Sequence, residues 1–368
     1  MTRRIFVKGL VSGVAAGAGM VAGPAHAQTA PEVKWRLTTG FPKTLDTLHG
    51  AAEMLAKRVA AATGGKFQIQ TFPAGEIVPG NQVIDAVQSA TVQAGLVPLN
   101  YGFGKDPTFA LSAVIPFGMN ARQQNAWMYQ GGGLELMREF LRDYNIVNFP
   151  AGNTAAQMGG WYRKEIKGLA DLQGLKLRIS GLGGEVLSKL GVVPQQIPAG
   201  DIYTSLEKGT LDAVEFVGPY DDEKLGFFKV AKNYYYPGFW EGGAQVDLII
   251  NLKAWEALPK EYQAILEAAA AEANVNMLAK YDALNSAALR RLVSKGAVLR
   301  PFPNDVINAA YKVAHQLYDD LSSKNAKFKK IYDHWRNFRD EQIAWFSVAE
   351  GRFDSIMASA QRSAQKKK

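Results

Sequence analysis

Hydrophobic and polar positions along this chain switch repeatedly between a period of two and a period near 3.6. Lys34-Trp35-Arg36-Leu37-Thr38 alternates and predicts a strand, after which Asp46 leads Leu48, Ala52, Leu55 and Val59 at helical spacing up to a stop at Gly64-Gly65. Phe67 to Phe72 alternates again, Pro79-Gly80 opens a helix through Val83 and Val87, and Ala94-Gly95-Leu96-Val97 reads as a buried strand before a loop. Strands alternating with helices predict an α/β domain with a largely parallel sheet.

A second unit of the same kind follows. The strand Leu175 to Ile179, after Leu169-Ala170-Asp171-Leu172, and the run Val246 to Ile250 fit a second lobe bounded roughly by residues 155 and 245. Pro73-Ala74-Gly75-Glu76-Ile77 recurs as Pro198-Ala199-Gly200-Asp201-Ile202, each ahead of a helical stretch and a short apolar strand, which suits two similar lobes. The remainder is helical: Leu258 to Ala288 is alanine-rich, Val306 to Ser322 is amphipathic, and Ala326 to Gln361 carries Phe328, Ile331, Trp335, Phe338, Ile343, Phe346 and Phe353. The expected division is lobe I over 28–155, lobe II over 156–245, and lobe-spanning and C-terminal helices over 246–368, part of which returns to lobe I.

The first 27 residues read as an export signal. Arg3-Arg4 precede Phe6 and a mild Gly/Ala/Val stretch from Gly9 to Gly23, and Ala25-His26-Ala27 is an A-x-A cleavage site, so the mature chain is expected to begin at Gln28, exported to the periplasm by a twin-arginine signal. Residues 28–368 carry 39 basic and 34 acidic side chains, a net charge of +5. The basic residues are interleaved with acids, apart from Lys366-Lys367-Lys368, and no basic stripe alternates with aromatics, so no nucleic-acid partner is expected.

Composition then narrows the chemistry. The 368 residues include no cysteine, which excludes disulfides, thiol nucleophiles and iron–sulfur clusters, and the four histidines, His26, His49, His315 and His334, lack metal-binding spacing. No P-loop, nucleophile elbow, S-x-x-K or H-E-x-x-H occurs, and Ser180-Gly181-Leu182-Gly183-Gly184-Glu185 has the wrong glycine spacing for a dinucleotide fingerprint. Asp221-Asp222-Glu223 reads as a solvated acidic turn after Gly218-Pro219. Three residues stand out. Arg178 ends a strand, where a guanidinium can grip an anion, although on spacing alone a surface arginine is the favoured reading. Glu215 lies inside the apolar run Ala213 to Val217 and must be paired, protonated or bound to a cation. Gln157 lies near the expected lobe crossover. Nothing in the sequence alone joins these three.

The segments Gly152 to Glu165, Gly174 to Leu190, Ile197 to Gly226 and Phe239 to Asn251 resemble the solute-binding proteins of TRAP (tripartite ATP-independent periplasmic) transporters, especially the α-keto acid and lactate binding branch. The resemblance covers essentially the whole mature chain. It implies a two-lobed α/β fold of the periplasmic-binding-protein type with a long helical C-terminal region, no catalysis, and a membrane permease as partner. It implies further that Arg178 pairs with the carboxylate of a small organic acid and that Gln157, Glu215 and the carbonyl of Phe216 hold a cation, calcium or sodium, bridging to that ligand. Phe216 stands where the branch often has tryptophan, which leaves room for a bulkier acid than pyruvate or lactate. Gln245 is a further candidate metal ligand, and Asn100, Tyr101 and Trp240 are candidate ligand contacts. The resembling keto acid binders pair through the C-terminal helix, so a homodimer is expected. The rival from another class is a secreted lyase or hydrolase using Glu215 or the Asp221-Asp222 pair as acid and base.

Overall fold

The structure is a computed structural model that describes residues 31–365. The twin-arginine segment, its cleavage site and the terminal lysines lie outside the described residues. Eleven strands are formed among them: β1 (Val33–Thr39), β2 (Phe67–Phe72), β3 (Ala94–Val97), β4 (Ile146–Asn153), β5 (Gly160–Tyr162), β6 (Lys176–Arg178), β7 (Val193–Gln195), β8 (Ala213–Val214), β9 (Asn233–Tyr236), β10 (Gln245–Asn251) and β11 (Val298–Pro301). They build two sheets, ordered β2-β1-β3-β10-β4 and β11-β9-β5-β8-β6-β7, and each sheet is the centre of one lobe.

Both sheets are mixed rather than largely parallel. The first half of each lobe is parallel, as strand–helix–strand crossovers require. β10, however, runs antiparallel to both β3 and β4, and β5 antiparallel to β8 and β9. The reason is the route of the chain, which leaves the first sheet at the end of β4 and returns from the second sheet into β10, so β10 travels in the opposite sense. The run Val246 to Ile250 therefore belongs to the first sheet, not to the second lobe as its position suggests. All residues of β4 and β10 are buried, the signature of strands covered on both faces. Gly160, where the crossover meets β5, has φ +90°, and a Cβ there would sit 2.3 Å from the Val214 carbonyl oxygen, so only glycine fits.

The internal echo is real but shifted. Pro198 (φ −56°, ψ 146°) precedes the helical turns Ala199–Asp201 and Ile202–Glu207, and its counterpart is Pro79 (φ −54°, ψ 148°), which precedes Gly80–Gln82 and Val83–Gln88, rather than Pro73. In this register Ala94 of β3 matches Ala213 of β8. The sequence likeness at Pro73 is a turn of similar composition.

The helix Lys260–Ser294 packs against β4, the helix Leu48–Ala62 and the helix Pro219–Leu225, and so ties the lobes together. Its Tyr281 hydroxyl donates to Asp221 Oδ2 at 2.5 Å, and Thr47 Oγ1 donates to both oxygens of the same carboxylate at 3.0 and 3.1 Å. Asp222 accepts from Trp161 Nε1 (3.0 Å) and the Tyr234 hydroxyl (2.7 Å). Asp221 and Asp222 are thus fully buried, correcting the expectation of a solvated turn: Pro219 starts a helix whose first turn faces inward. A third buried acid, Asp247, accepts from Asn148, Gln245 and Ser112.

Burial pushes the carboxyls of Asp222 and Asp247 up to about 7, against the lowering effect of the hydrogen bonds they accept. An acid whose folded pKa exceeds its unfolded value stabilises the fold below the unfolded pKa, near 4, and loses that contribution as pH rises through 7. The ligand-free protein is therefore expected to melt at a lower temperature at pH 8 than at pH 6. His49, whose pKa burial lowers, works in the opposite sense, but as one group against two. A midpoint that rises from pH 6 to 8 would contradict this assignment.

In the helix Ala326–Val348, Phe328, Ile331 and Trp335 enter the first lobe's core, whereas Ile343, Trp345 and Val348 are exposed. The final helix, Glu350–Gln365, buries nothing and exposes Phe353, Ile356 and Met357. Among the described residues no helix is long and apolar enough to cross a membrane.

Candidate ligand-binding site

The carboxyl end of the second sheet and the loops after β3, β4 and β9 converge on one cleft. Its cavity volume of about 30 Å³ is two to three times the roughly 10–15 Å³ that admits one water. Strand ends at the edge of a mixed α/β sheet are where such folds place ligands.

Arg178 ends β6, held between β7 and β8, and its carbonyl accepts the Glu215 amide at 3.1 Å. The side chain is only 3% exposed. Its Nη1 donates to the Glu215 carbonyl (2.5 Å) and to Glu215 Oε2 (3.0 Å), and Nε donates to the Ile197 carbonyl (3.4 Å). The guanidinium hydrogen-bonds the Tyr101 hydroxyl as well and lines the cleft, where its planar fork can meet an outside anion. The guanidinium also lies over the Phe216 ring, 5.4 Å from its centroid. Arg178 is therefore no surface arginine.

Glu215 is 1% exposed, and its burial raises the carboxyl pKa to about 7 in spite of Arg178, with Asp222 adding to the rise. Glu241, on the loop between β9 and β10, also lines the cleft. Burial raises its pKa well above the usual range, and the charge of Glu215 raises it further. Gln157 donates through Nε2 to Thr154 Oγ1 at 2.9 Å, while its Oε1 is buried without a partner. Asn100, facing from the first lobe, donates to Ser180 Oγ across the cleft at 3.3 Å and likewise leaves Oδ1 unpartnered. Tyr101 is beside Arg178, its hydroxyl pKa raised chiefly by burial and lowered in part by the guanidinium. One cation, two carboxylates and two amide oxygens in want of partners thus surround a small space.

Two expected contacts lie elsewhere. Trp240 does not line the cleft; it packs on Phe239 (centroids 4.6 Å) and Phe302 (5.6 Å) in the second lobe's core, and its neighbour Glu241 takes the place at the cleft. Gln245 is turned away from the cleft: Ala244 and Val246 line it, and strand alternation puts Gln245 with Asp247 on the other face, where its Nε2 donates to Asp247 (3.0 Å) and Ser112 (3.3 Å). Asp221 and Asp222 are also absent from the lining, and their partners are structural. Sequence reasoning missed Glu241, Thr154 and Ser180. The available signal for Glu241 was an acid beside Gly242-Gly243 and between apolar neighbours.

These features define a receptor for a small anion. Residues 40–325 match the family of bacterial extracellular solute-binding proteins, family 7, and the chain belongs to that family, the solute-binding proteins of TRAP transporters. It is a transport protein, not an enzyme, and the lyase or hydrolase alternative is set aside. The chain is 51% identical over 331 residues, 90% of this chain and 91% of the relative, to a monocarboxylate 2-oxoacid-binding periplasmic protein of Nostoc sp.. A TRAP solute-binding protein of Bordetella bronchiseptica is 53% identical, with TM-score 0.90 and coverage of 91% of this chain and 99% of that one; its crystal structure is a mixed-occupancy dimer in which copurified calcium and picolinate fill one active site and the other is apo. A further relative, from Pseudoalteromonas atlantica, has bound sodium and pyruvate, at 36% identity, TM-score 0.86 and coverage of 88% and 99%.

Proposed function

We propose that this chain is a periplasmic receptor that captures a small 2-oxo or 2-hydroxy monocarboxylate, pyruvate- or lactate-like, and delivers it to a TRAP membrane permease. Arg178 pairs with the carboxylate, and a calcium or sodium ion bridges ligand and protein. The observation that carries the reading is the buried, unpartnered Oε1 of Gln157 beside Glu215 and Glu241. An orphaned acceptor that lines one cleft with two carboxylates suits a hard cation. Charge balance supports this: Arg178 offsets one carboxylate, the other and the ligand remain, and a divalent ion neutralises both. Gln157, Glu215, the Phe216 carbonyl and Glu241 would hold the ion, which supplies a bond to the ligand's 2-oxygen. Among the described residues no three His, Cys, Asp or Glu side chains gather, which suits a calcium or sodium site completed by amide, carbonyl and ligand oxygens rather than a transition-metal site.

The 2-oxygen is the discriminating group. Pyruvate at a hundred times its Kd adds about 2.7 kcal/mol of stability, so in calcium buffer it is expected to raise the melting midpoint strongly and propionate hardly at all. Equal shifts from the two acids would overturn the chelation. The picolinate of the Bordetella relative favours a second ligand class, planar aromatic acids with a donor atom next to the carboxylate. Phe216 in the cleft wall is consistent with it.

Export by the twin-arginine signal belongs to the same proposal, as does a homodimer through the C-terminal helices, whose exposed Trp345, Val348, Phe353, Ile356 and Met357 call for a cover. Light scattering at micromolar concentration is expected to give a two-chain mass, and truncation after Val348 to weaken the pairing. A single-chain mass for the full protein would reject it.

A further inference from the structure

The residues leading into Gln157 are wired so that its amide can face only one way. Asn153, fully buried at the end of β4, accepts the Ala155 amide through Oδ1 at 2.9 Å and donates through Nδ2 to the Gly243 carbonyl at 3.2 Å. This Asx turn holds Ala155 at φ +58°, in the left-handed region that alanine rarely adopts. The Ala155 carbonyl so placed accepts the Thr154 hydroxyl at 3.1 Å. A hydroxyl has a single proton, and this one is committed. Thr154 Oγ1 therefore has only lone pairs to offer Gln157, whose Nε2 donates to it at 2.9 Å. The nitrogen end of the amide is consigned to protein and the oxygen end is left without a partner.

Resting on the cation reading above, we infer that Asn153 and Thr154 are positioning residues that present the Gln157 oxygen, rather than its NH2, to the bridging cation. The same segment spaces the donors. The Gln157 backbone N–H donates to the Glu241 backbone carbonyl at 3.0 Å, the Gly238 backbone N–H donates to the Gln157 backbone carbonyl at 2.8 Å, and Asn153 reaches Gly243, so the Gln157 and Glu241 backbones are tied together. Without the Thr154 acceptor the amide is free to turn half a revolution, and an NH2 group aimed at the site repels a cation.

The test is calcium titration of chelator-treated protein, followed by pyruvate titration at saturating calcium. Thr154→Ser keeps the lone pairs and is expected to bind calcium within about twofold of the parent. Thr154→Val keeps the shape and removes them, and is expected to weaken calcium by about 10- to 100-fold, the usual effect of losing a partner that orients a ligating group. Raising calcium should then restore its pyruvate affinity. Asn153→Ala is expected to act in the same direction. Thr154→Val binding calcium as tightly as the parent, or Thr154→Ser losing as much as Thr154→Val, would overturn the inference and leave the cation reading standing. A parent protein whose pyruvate affinity ignores chelation would overturn both. Should Thr154→Val fail to fold, as judged by ligand-free unfolding, Thr154→Ala in the same titrations decides.

Discussion

Arg178→Ala is expected to lower the affinity for the best carboxylate by roughly thirty-fold to several thousand-fold, the 2–5 kcal/mol that truncating one partner of a buried charge pair typically costs. Two effects add. The ligand carboxylate loses its guanidinium partner, and Glu215, which takes two contacts from Nη1, is left as a buried acid without its counter-charge. Because burial already raises the Glu215 pKa to about 7, the variant can relieve itself by taking up a proton. Its stability deficit should therefore be smaller at pH 6 than at pH 8. Arg178→Lys is also expected to bind poorly, since a point charge cannot serve the Glu215 and Ile197 carbonyls and an outside carboxylate together. Calorimetry in calcium buffer reads the effect, and near-parental affinity of Arg178→Ala would remove the residue from its role.

How much of this was legible beforehand depends on whether an element's role is local. Alternation and helix signals located β1, β2 and β3 and the long C-terminal helices, because each is set by a periodicity within its own residues. The sheet to which β10 belongs is decided by partners about a hundred residues away, Ile146–Asn153, and no local pattern carries that. At the site, Arg178, Glu215 and Gln157 stood out as charged or polar groups at strand ends or in apolar runs, and the structure brings them into one cleft. Gln245 failed on parity, since one step along a strand reverses the face. Trp240 was expected at the cleft, where its neighbour Glu241 lies instead, in a loop where neither period applies. Asp221 and Asp222 looked solvated because their partners, Thr47, Tyr281, Trp161 and Tyr234, come from distant segments.

The second large effect is expected at Glu215. Glu215→Gln preserves size and removes the charge proposed to bind the cation, and should weaken calcium by more than the 10- to 100-fold typical of orienting partners. Arg178 then loses its internal anion and becomes freer to meet the ligand directly. Pyruvate affinity in this variant should be weak and almost indifferent to chelation. A variant that keeps the parent's calcium affinity would move the ion away from Glu215.

The bridging cation is the centre of this account, and the most direct measurement is pyruvate calorimetry on the parent protein after exhaustive chelation in sodium-free buffer, then after adding back calcium or sodium alone. Affinity is expected to collapse on removal and to return with one of the two ions, together with proton release as the raised carboxyls of Glu215 and Glu241 ionise. Undiminished affinity in the ion-free buffer would contradict the account and leave Arg178 to hold the acid alone.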